Sequence, residues 1–283
     1  MKNLIVGGSS KIGKGLSFTN SDCVNTYFTN KIEGGIYLDL TKEITSQIDL
    51  DKFDNIIILS SVTDPKKCEE DRDYSNLLNV ISTKNLINIC VKKKKKVIFF
   101  SSDYVFDGKK GKYTEKDIPN PINLYGEQKY EIEKYIQKNL EDFSILRIAK
   151  TYFEDLETPC FLKNIIEQVK NNQNEIYCIE RQLFSPICLT DISDILNKVI
   201  KLKIPILNVG GPKIFDRKEI IKLVMKKLNK ELQINFIKRD KVEAESMFSW
   251  PADVSLDILE LLKIKKNFRD INTILEKNDQ YKT

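Results

Sequence analysis

Short apolar runs recur along this chain at residues 4–6, 24–28, 36–40, 56–59, 97–100 and 144–148, with helical patterns between them. That alternation constrains the fold more than any other feature. A parallel strand pair needs a long crossover, usually a helix, and the helices then cover both faces of the sheet. The pattern therefore predicts an α/β chain with a doubly wound parallel sheet. After Lys150 the rhythm changes to longer charged helices broken by Pro159, Pro186, Pro205, Pro212 and Pro251, with short strands around residues 176–179 and 206–209. This marks a second, smaller lobe. We place the first domain at 1–149, with 185–202 returning to it, and the lobe at 150–184 and 203–283.

Composition removes whole classes of chemistry. The 283 residues contain no histidine, so Ser-His-Asp and Cys-His catalysis and His-ligated metal sites are excluded, and any acid or base must be Tyr, Lys, Cys, Asp or Glu. The net charge of +5 is too small for a nucleic-acid face. Six cysteines at 23, 68, 90, 160, 178 and 188 show no C-x-x-C spacing, which reads as scattered reduced thiols, with no metal-ligand set. Only three apolar residues precede Gly7 and no stretch approaches a membrane span, so a cytoplasmic chain is expected. The lysine run at 92–96 reads as a solvated helix C-terminus favoured by the macrodipole.

The first strand runs into Gly7-Gly8-Ser9-Ser10-Lys11-Ile12-Gly13, a turn that opens a helix whose N-terminal amides face a pyrophosphate. Ser10 stands at the middle position that usually carries glycine. The second strand ends at Thr29-Asn30-Lys31, where a ribose-binding carboxylate would sit about 20 residues after the glycines. None is there. By charge, Asn30 and Lys31 together with Lys11 suit the 2′-phosphate of NADP, so NADPH is the expected cofactor and NADH the alternative.

The most informative segment carries Ser102 at a strand end, followed by Tyr125 and Lys129 at i and i+4 on one helix face. An ammonium beside the phenol favours its ionised form, so Tyr125 can exchange a proton with a carbonyl oxygen that Ser102 holds. Tyr130 and Lys134 repeat the spacing without that context.

With these pieces the chain resembles the extended short-chain dehydrogenase/reductase superfamily and, within it, the dTDP-4-dehydrorhamnose reductase family. The matching segments are 7–13, 38–41, 60–63, Asn79, 102–108, 125–129, 146–148 and 250–257. The resemblance implies a Rossmann-type doubly wound parallel sheet with a smaller C-terminal α/β substrate lobe. It implies an NADPH-dependent reductase of a 4-keto-6-deoxy nucleotide-sugar in cell-surface polysaccharide biosynthesis, and it allows a homodimer. Ser102, Tyr125 and Lys129 then carry over as the catalytic triad. Gly7, Ser10, Lys11, Ile12, Asp39, Leu40, Ser60, Ser61 and Thr63 line the dinucleotide, and Asp103 and Tyr104 touch the hexose hydroxyls. Lys150 stands where the family usually has tryptophan, and Trp250 where an arginine precedes the proline; both belong to the nucleotide-sugar side. The acidic run linked to a magnesium-bridged dimer is replaced by Asp64-Pro65-Lys66-Lys67-Cys68-Glu69, so no metal is expected. Two alternatives stay open: an NAD-dependent nucleotide-sugar epimerase, and a noncatalytic NADP-binding regulatory subunit.

Overall fold

The computed structural model describes residues 2–18, 22–246 and 248–277. Thirteen strands are seen among them: β1 (Asn3–Val6), β2 (Cys23–Tyr27), β3 (Ile36–Tyr37), β4 (Asn55–Ile58), β5 (Lys96–Ser102), β6 (Phe143–Ile148), β7 (Thr151–Tyr152), β8 (Glu175–Ile179), β9 (Leu183–Phe184), β10 (Ile187–Cys188), β11 (Ile206–Val209), β12 (Phe215–Asp216) and β13 (Gln233–Ile237). Seven of them form one parallel sheet in the order β11-β6-β5-β4-β1-β2-β3. This is the doubly wound Rossmann-type order, whose reversal beside β1 opens a crevice at the carboxyl ends of the strands.

The apolar runs are continuous because both faces are covered. Ile5, Ile57, Ile98 and Leu146 pack on one side with Leu16, Ile192 and Ile195, while Leu4, Ile56, Ile58 and Phe99 pack on the other with Leu86, Ile87, Ile132 and Ile136. Successive strand residues point to opposite faces, so each run feeds two cores. A third core fills the lobe, where helix Phe161–Asn171 and helix Arg217–Lys227 meet; it reaches Tyr104, Tyr125 and Trp250 at the domain junction.

Two sequence expectations change. Ile206–Val209, assigned to the lobe as part of 203–283, is the edge strand of the central sheet and pairs in parallel with β6. A four-residue apolar run looks the same whichever sheet receives it. Within the lysine run, Lys96 is buried in β5, and its Nζ donates to the carbonyls of Val199, Ile200 and Leu202 at 2.9, 3.2 and 2.7 Å. It closes the C-terminal end of helix Leu189–Val199. No helix among the described residues is long and apolar enough to cross a membrane.

Candidate active site

A cavity of about 1010 Å³ lies at the carboxyl ends of β1, β4 and β5 and runs from the glycine turn to the lobe. Its outer end is shaped by the turn after β1. Gly7 has φ +87°, and a Cβ there would meet Ser60 N at 2.7 Å; at Gly13 a Cβ would meet Gly8 Cα at 2.6 Å. Only glycine lets the loop approach β4 and the helix lie against the loop. Ser10 Oγ accepts from the Gly13 amide at 3.0 Å, so the serine at the middle position caps helix Lys11–Phe18. Thr26 Oγ1 accepts from the Gly7 amide at 3.1 Å. Residues 9–12 line the cavity, with the start of the helix set at its wall, which is the cradle a dinucleotide pyrophosphate requires.

Beside it, Asn79 lies in the π-helical turn Leu77–Ser82. Its Oδ1 accepts from the Val62 amide at 2.7 Å and from Ser61 Oγ at 3.0 Å, while Nδ2 donates to Val62 O at 3.0 Å and Gln128 Oε1 at 2.7 Å. One side chain thus ties the loop after β4 to helix Leu124–Asn139.

That helix carries Tyr125 and Lys129. Asn123 caps it, accepting from the Gly126 amide at 2.9 Å. A Cβ on Gly126 would meet Tyr104 O at 2.2 Å, so this glycine lets the helix start rest directly on the turn that follows Ser102. Tyr125, Lys129 and Glu133 then follow one another down the face that meets the sheet. Glu133 is fully buried, paired with Arg147 Nη2 at 2.8 Å, and accepts from Ser101 Oγ at 2.5 Å. Lys129 Nζ donates to Phe100 O at 3.0 Å and stands 5.8 Å from the Tyr125 ring centroid. Burial pulls the Lys129 ammonium down to about 8. Burial also drives the Tyr125 phenol above its ordinary value, opposed by a hydrogen bond with Ser102. The sequence argument expected the nearby ammonium to lower the phenol; burial raises it instead.

At the inner end, Asp103 is 2% exposed and its carboxyl is pushed up to about 7, chiefly by burial, with Lys150 pulling it down. Lys150 itself falls to about 8, through burial first and the Arg217 guanidinium second. Its Nζ sits 5.5 Å from the Phe184 ring and 5.9 Å from that of Trp250. Tyr104 meets Tyr125 and Trp250 edge to face, at 6.1 and 6.3 Å.

The wall brings together Gly7, Ser10, Lys11, Ile12, Asn30, Leu40, Ser60, Ser61 and Thr63 at the outer end and Ser102, Asp103, Tyr104, Tyr125, Lys129, Lys150 and Trp250 at the inner end. Lys31 and Asp39 are outside it. Lys31 is exposed, and the Asp39 carboxylate is taken by the Thr41 amide and hydroxyl at 2.9 and 2.7 Å. Lys11 Nζ donates to Pro159 O at 2.8 Å, across to the lobe. Tyr130 and Lys134, the repeated spacing, line a separate groove. Thr26 and Phe161 also line the cavity and were not singled out from sequence, because an ordinary Thr or Phe carries no pattern of its own; residues 148–151, which the resemblance sets on the nicotinamide side of the cleft, line it too. Among the described residues no cluster of carboxylates and thiols could hold a metal ion.

Fold and site together define a Rossmann-type chain of the extended short-chain dehydrogenase/reductase class. The family model described as RmlD substrate binding domain matches residues 1–247, and the chain belongs to that family. Methionine adenosyltransferase 2 subunit beta of Xenopus tropicalis is 39% identical over 88 residues, 31% of this chain and 26% of that protein. The dTDP-4-dehydrorhamnose reductase of Aggregatibacter actinomycetemcomitans is 29% identical over 165 residues, 57% of this chain and 55% of that one. The chain thus spans about a quarter to a half of the length of these curated relatives. The crystal structure of a hypothetical dTDP-4-dehydrorhamnose reductase from Sulfolobus tokodaii superimposes with a TM-score of 0.85 at 27% identity, covering 98% of each chain.

Proposed function

We propose that this protein is an NAD(P)H-dependent reductase of a 4-keto-6-deoxy nucleotide-sugar, acting in the cytoplasm in deoxysugar and cell-surface polysaccharide synthesis. One observation carries the reading: Ser102, Tyr125 and Lys129 meet in the same cavity whose other end is the glycine cradle. The cradle fits a dinucleotide, since Gly7 and residues 9–12, at the start of helix Lys11–Phe18, line that end of the cavity. Residues 9–12 would hold the pyrophosphate, Asn30 and Leu40 the adenosine side, and Lys129 the nicotinamide ribose. The bound cofactor supplies the hydride to the ketone carbon. Ser102 donates a hydrogen bond to the ketone oxygen, Tyr125 delivers its phenolic proton there, and the Lys129 ammonium stabilises the phenolate left behind. Asp103, Tyr104, Lys150 and Trp250 face the sugar nucleotide.

NADPH remains the preferred form in this reading. The wall at residues 27–30 presents no carboxylate, so nothing there repels a 2′-phosphate, although Lys31 and Asp39 contribute nothing to the wall. The substrate lobe in this reading is 150–184 and 203–283 without β11 and without 256–268, whose Leu256, Ile258 and Leu261 pack in the core of the central sheet, and a homodimer is compatible with the chain.

The test is to supply dTDP-4-dehydrorhamnose with NADPH or NADH and follow cofactor oxidation. Net oxidation with a new sugar alcohol supports the reading. Bound NAD with sugar inversion and no net oxidation would identify an epimerase, and NADP binding without turnover of any keto-sugar would identify a regulatory subunit.

A further inference from the structure

Proton bookkeeping around Ser102 exposes a requirement that the triad does not meet by itself. The Ser102 hydroxyl has one proton and two lone pairs. Its Oγ donates to Asp103 Oδ1 at 3.1 Å and accepts from the Tyr104 amide at 3.2 Å, and it stands close enough to Tyr125 to favour the phenolate by hydrogen bonding to it. With Asp103 ionised, the carboxylate takes the single Ser102 proton, and none is left for a ketone or for the Tyr125 oxygen. With Asp103 neutral, its carboxyl O–H donates to Ser102 Oγ. That bond and the Tyr104 amide fill the lone pairs, and the Ser102 proton is released toward the Tyr125 oxygen and the cavity.

The surroundings of Asp103 suit the neutral form. The side chain is almost wholly buried, and its Oδ2 has no hydrogen-bond partner. A carboxylate buried this deeply is strongly disfavoured by desolvation even with Ser102 and two backbone amides donating to it, while a neutral acid loses much less. The charged and titratable groups that face it are Tyr104 on its own turn, Tyr125 on helix Leu124–Asn139, and Lys150 after β6, with Arg217 of the lobe behind Lys150. Among the described residues Lys150 is the cation that pulls most on the Asp103 carboxyl. Burial keeps Asp103 neutral up to about 7 and the Lys150 ammonium limits how far.

We propose that Asp103 is a positioning residue for the reduction, donating its carboxyl proton to Ser102 so that the Ser102 proton is free to point at the ketone oxygen beside Tyr125, and that Lys150 sets the pH at which this arrangement is lost. The inference rests on the reductase reading. It assigns Lys150, which stands where the family usually has tryptophan, a role beyond contact with the nucleotide-sugar.

The test has a catalytic arm and a ligand-free arm. In the first, kcat against pH is measured for wild type, Lys150→Met and Lys150→Arg with NADPH and dTDP-4-dehydrorhamnose. Wild-type kcat falls as pH rises through about 7. Lys150→Met moves that limb upward by about 1–3 pH units, the effect of removing a close opposite charge, and Lys150→Arg leaves it near the wild-type position. In the second arm, the protein without ligands is labelled with ¹³C at Asp Cγ and Tyr Cζ, with Asp103→Asn and Tyr125→Phe providing the assignments. The Tyr125 Cζ resonance moves in step with the titration of Asp103, and both midpoints shift upward in Lys150→Met. A Tyr125 resonance that ignores the Asp103 titration, or midpoints unmoved in Lys150→Met, overturns the proposal even if turnover is normal. Coupled, shifted resonances with no turnover at any pH uphold the Asp103 hydrogen-bond switch and sink the reductase reading instead.

Discussion

At the outer end of the cavity the polar groups that shape the wall are bonded to one another; at the inner end several are not. Ser10 closes on Gly13, Thr26 on Gly7, and Asn79 on Val62, Ser61 and Gln128. Asn25 Oδ1, the exception near this loop, lies against Gly8 outside the wall. Around Lys150, by contrast, Asp103 Oδ2 and Trp250 Nε1 are buried without partners, and the ammonium is held between two aromatic rings. A buried polar atom without a partner costs about 1–3 kcal/mol, so such atoms persist where a ligand or a proton completes them. The outer end therefore behaves as a finished mould for a ligand of constant shape. The inner end keeps open valences, where the proposed reduction would take place.

The largest expected effect tests whether the inner end is where the reaction happens. Tyr125→Phe removes the proton donor and should lower kcat by about 10²–10⁴, with NADPH affinity, read by fluorescence titration, almost unchanged. Turnover at the wild-type rate would erase the distinction between the two ends. Next in size is Gly13→Ala at the mould itself. Its Cβ would press on Gly8 Cα, so stability should drop by about 1–3 kcal/mol in urea unfolding and dinucleotide affinity should fall with it. An unaltered cofactor dissociation constant would show that the cradle tolerates more than its geometry suggests.

Asp103→Asn probes the open valence by stability. The folded-state value of about 7 lies above the unfolded 3.8, so the folded protein binds the extra proton between them and the wild type loses stability as pH rises from about 4 to 7. The asparagine variant escapes that loss. Its melting temperature should exceed that of wild type by a few degrees above pH 7, and the two should converge near pH 4; an equal difference at all pH values would show that Asp103 does not titrate. Smallest is Trp250→Phe, which deletes an indole N–H that bonds to nothing in the structure. Stability should change by less than about 1 kcal/mol while KM for the nucleotide-sugar rises and NADPH binding holds. A fall of several kcal/mol would make Trp250 a packing residue of the domain junction.

Much of the outer end was legible in the chain. The glycine turn and the strand before it are contiguous, and their geometry is dictated within a dozen residues by where a Cβ can fit. The i, i+4 pairing of Tyr125 with Lys129 is equally local. The direction of the Tyr125 shift was not legible, because the ammonium beside it can be read from spacing while the depth of burial cannot. Lys31 was placed near the cofactor by its distance from the glycines and Asp39 by the family resemblance, but one faces solvent and the other closes on Thr41. A loop direction after β2 and β3 decided both.

By itself the sequence determined which segments become strands and helices, where the first crossover turns, and which side chains share one face of helix Leu124–Asn139, since these follow from period and sterics over short stretches. Tertiary structure alone decided that residues 206–209 extend the central sheet, that Lys96 caps a helix more than a hundred residues away, and that Lys150 stands behind Asp103. The reason is common to all three. An apolar run has no preference among sheet edges and a lysine none among carbonyls or carboxyls until burial removes water, and burial is a property of the assembled chain.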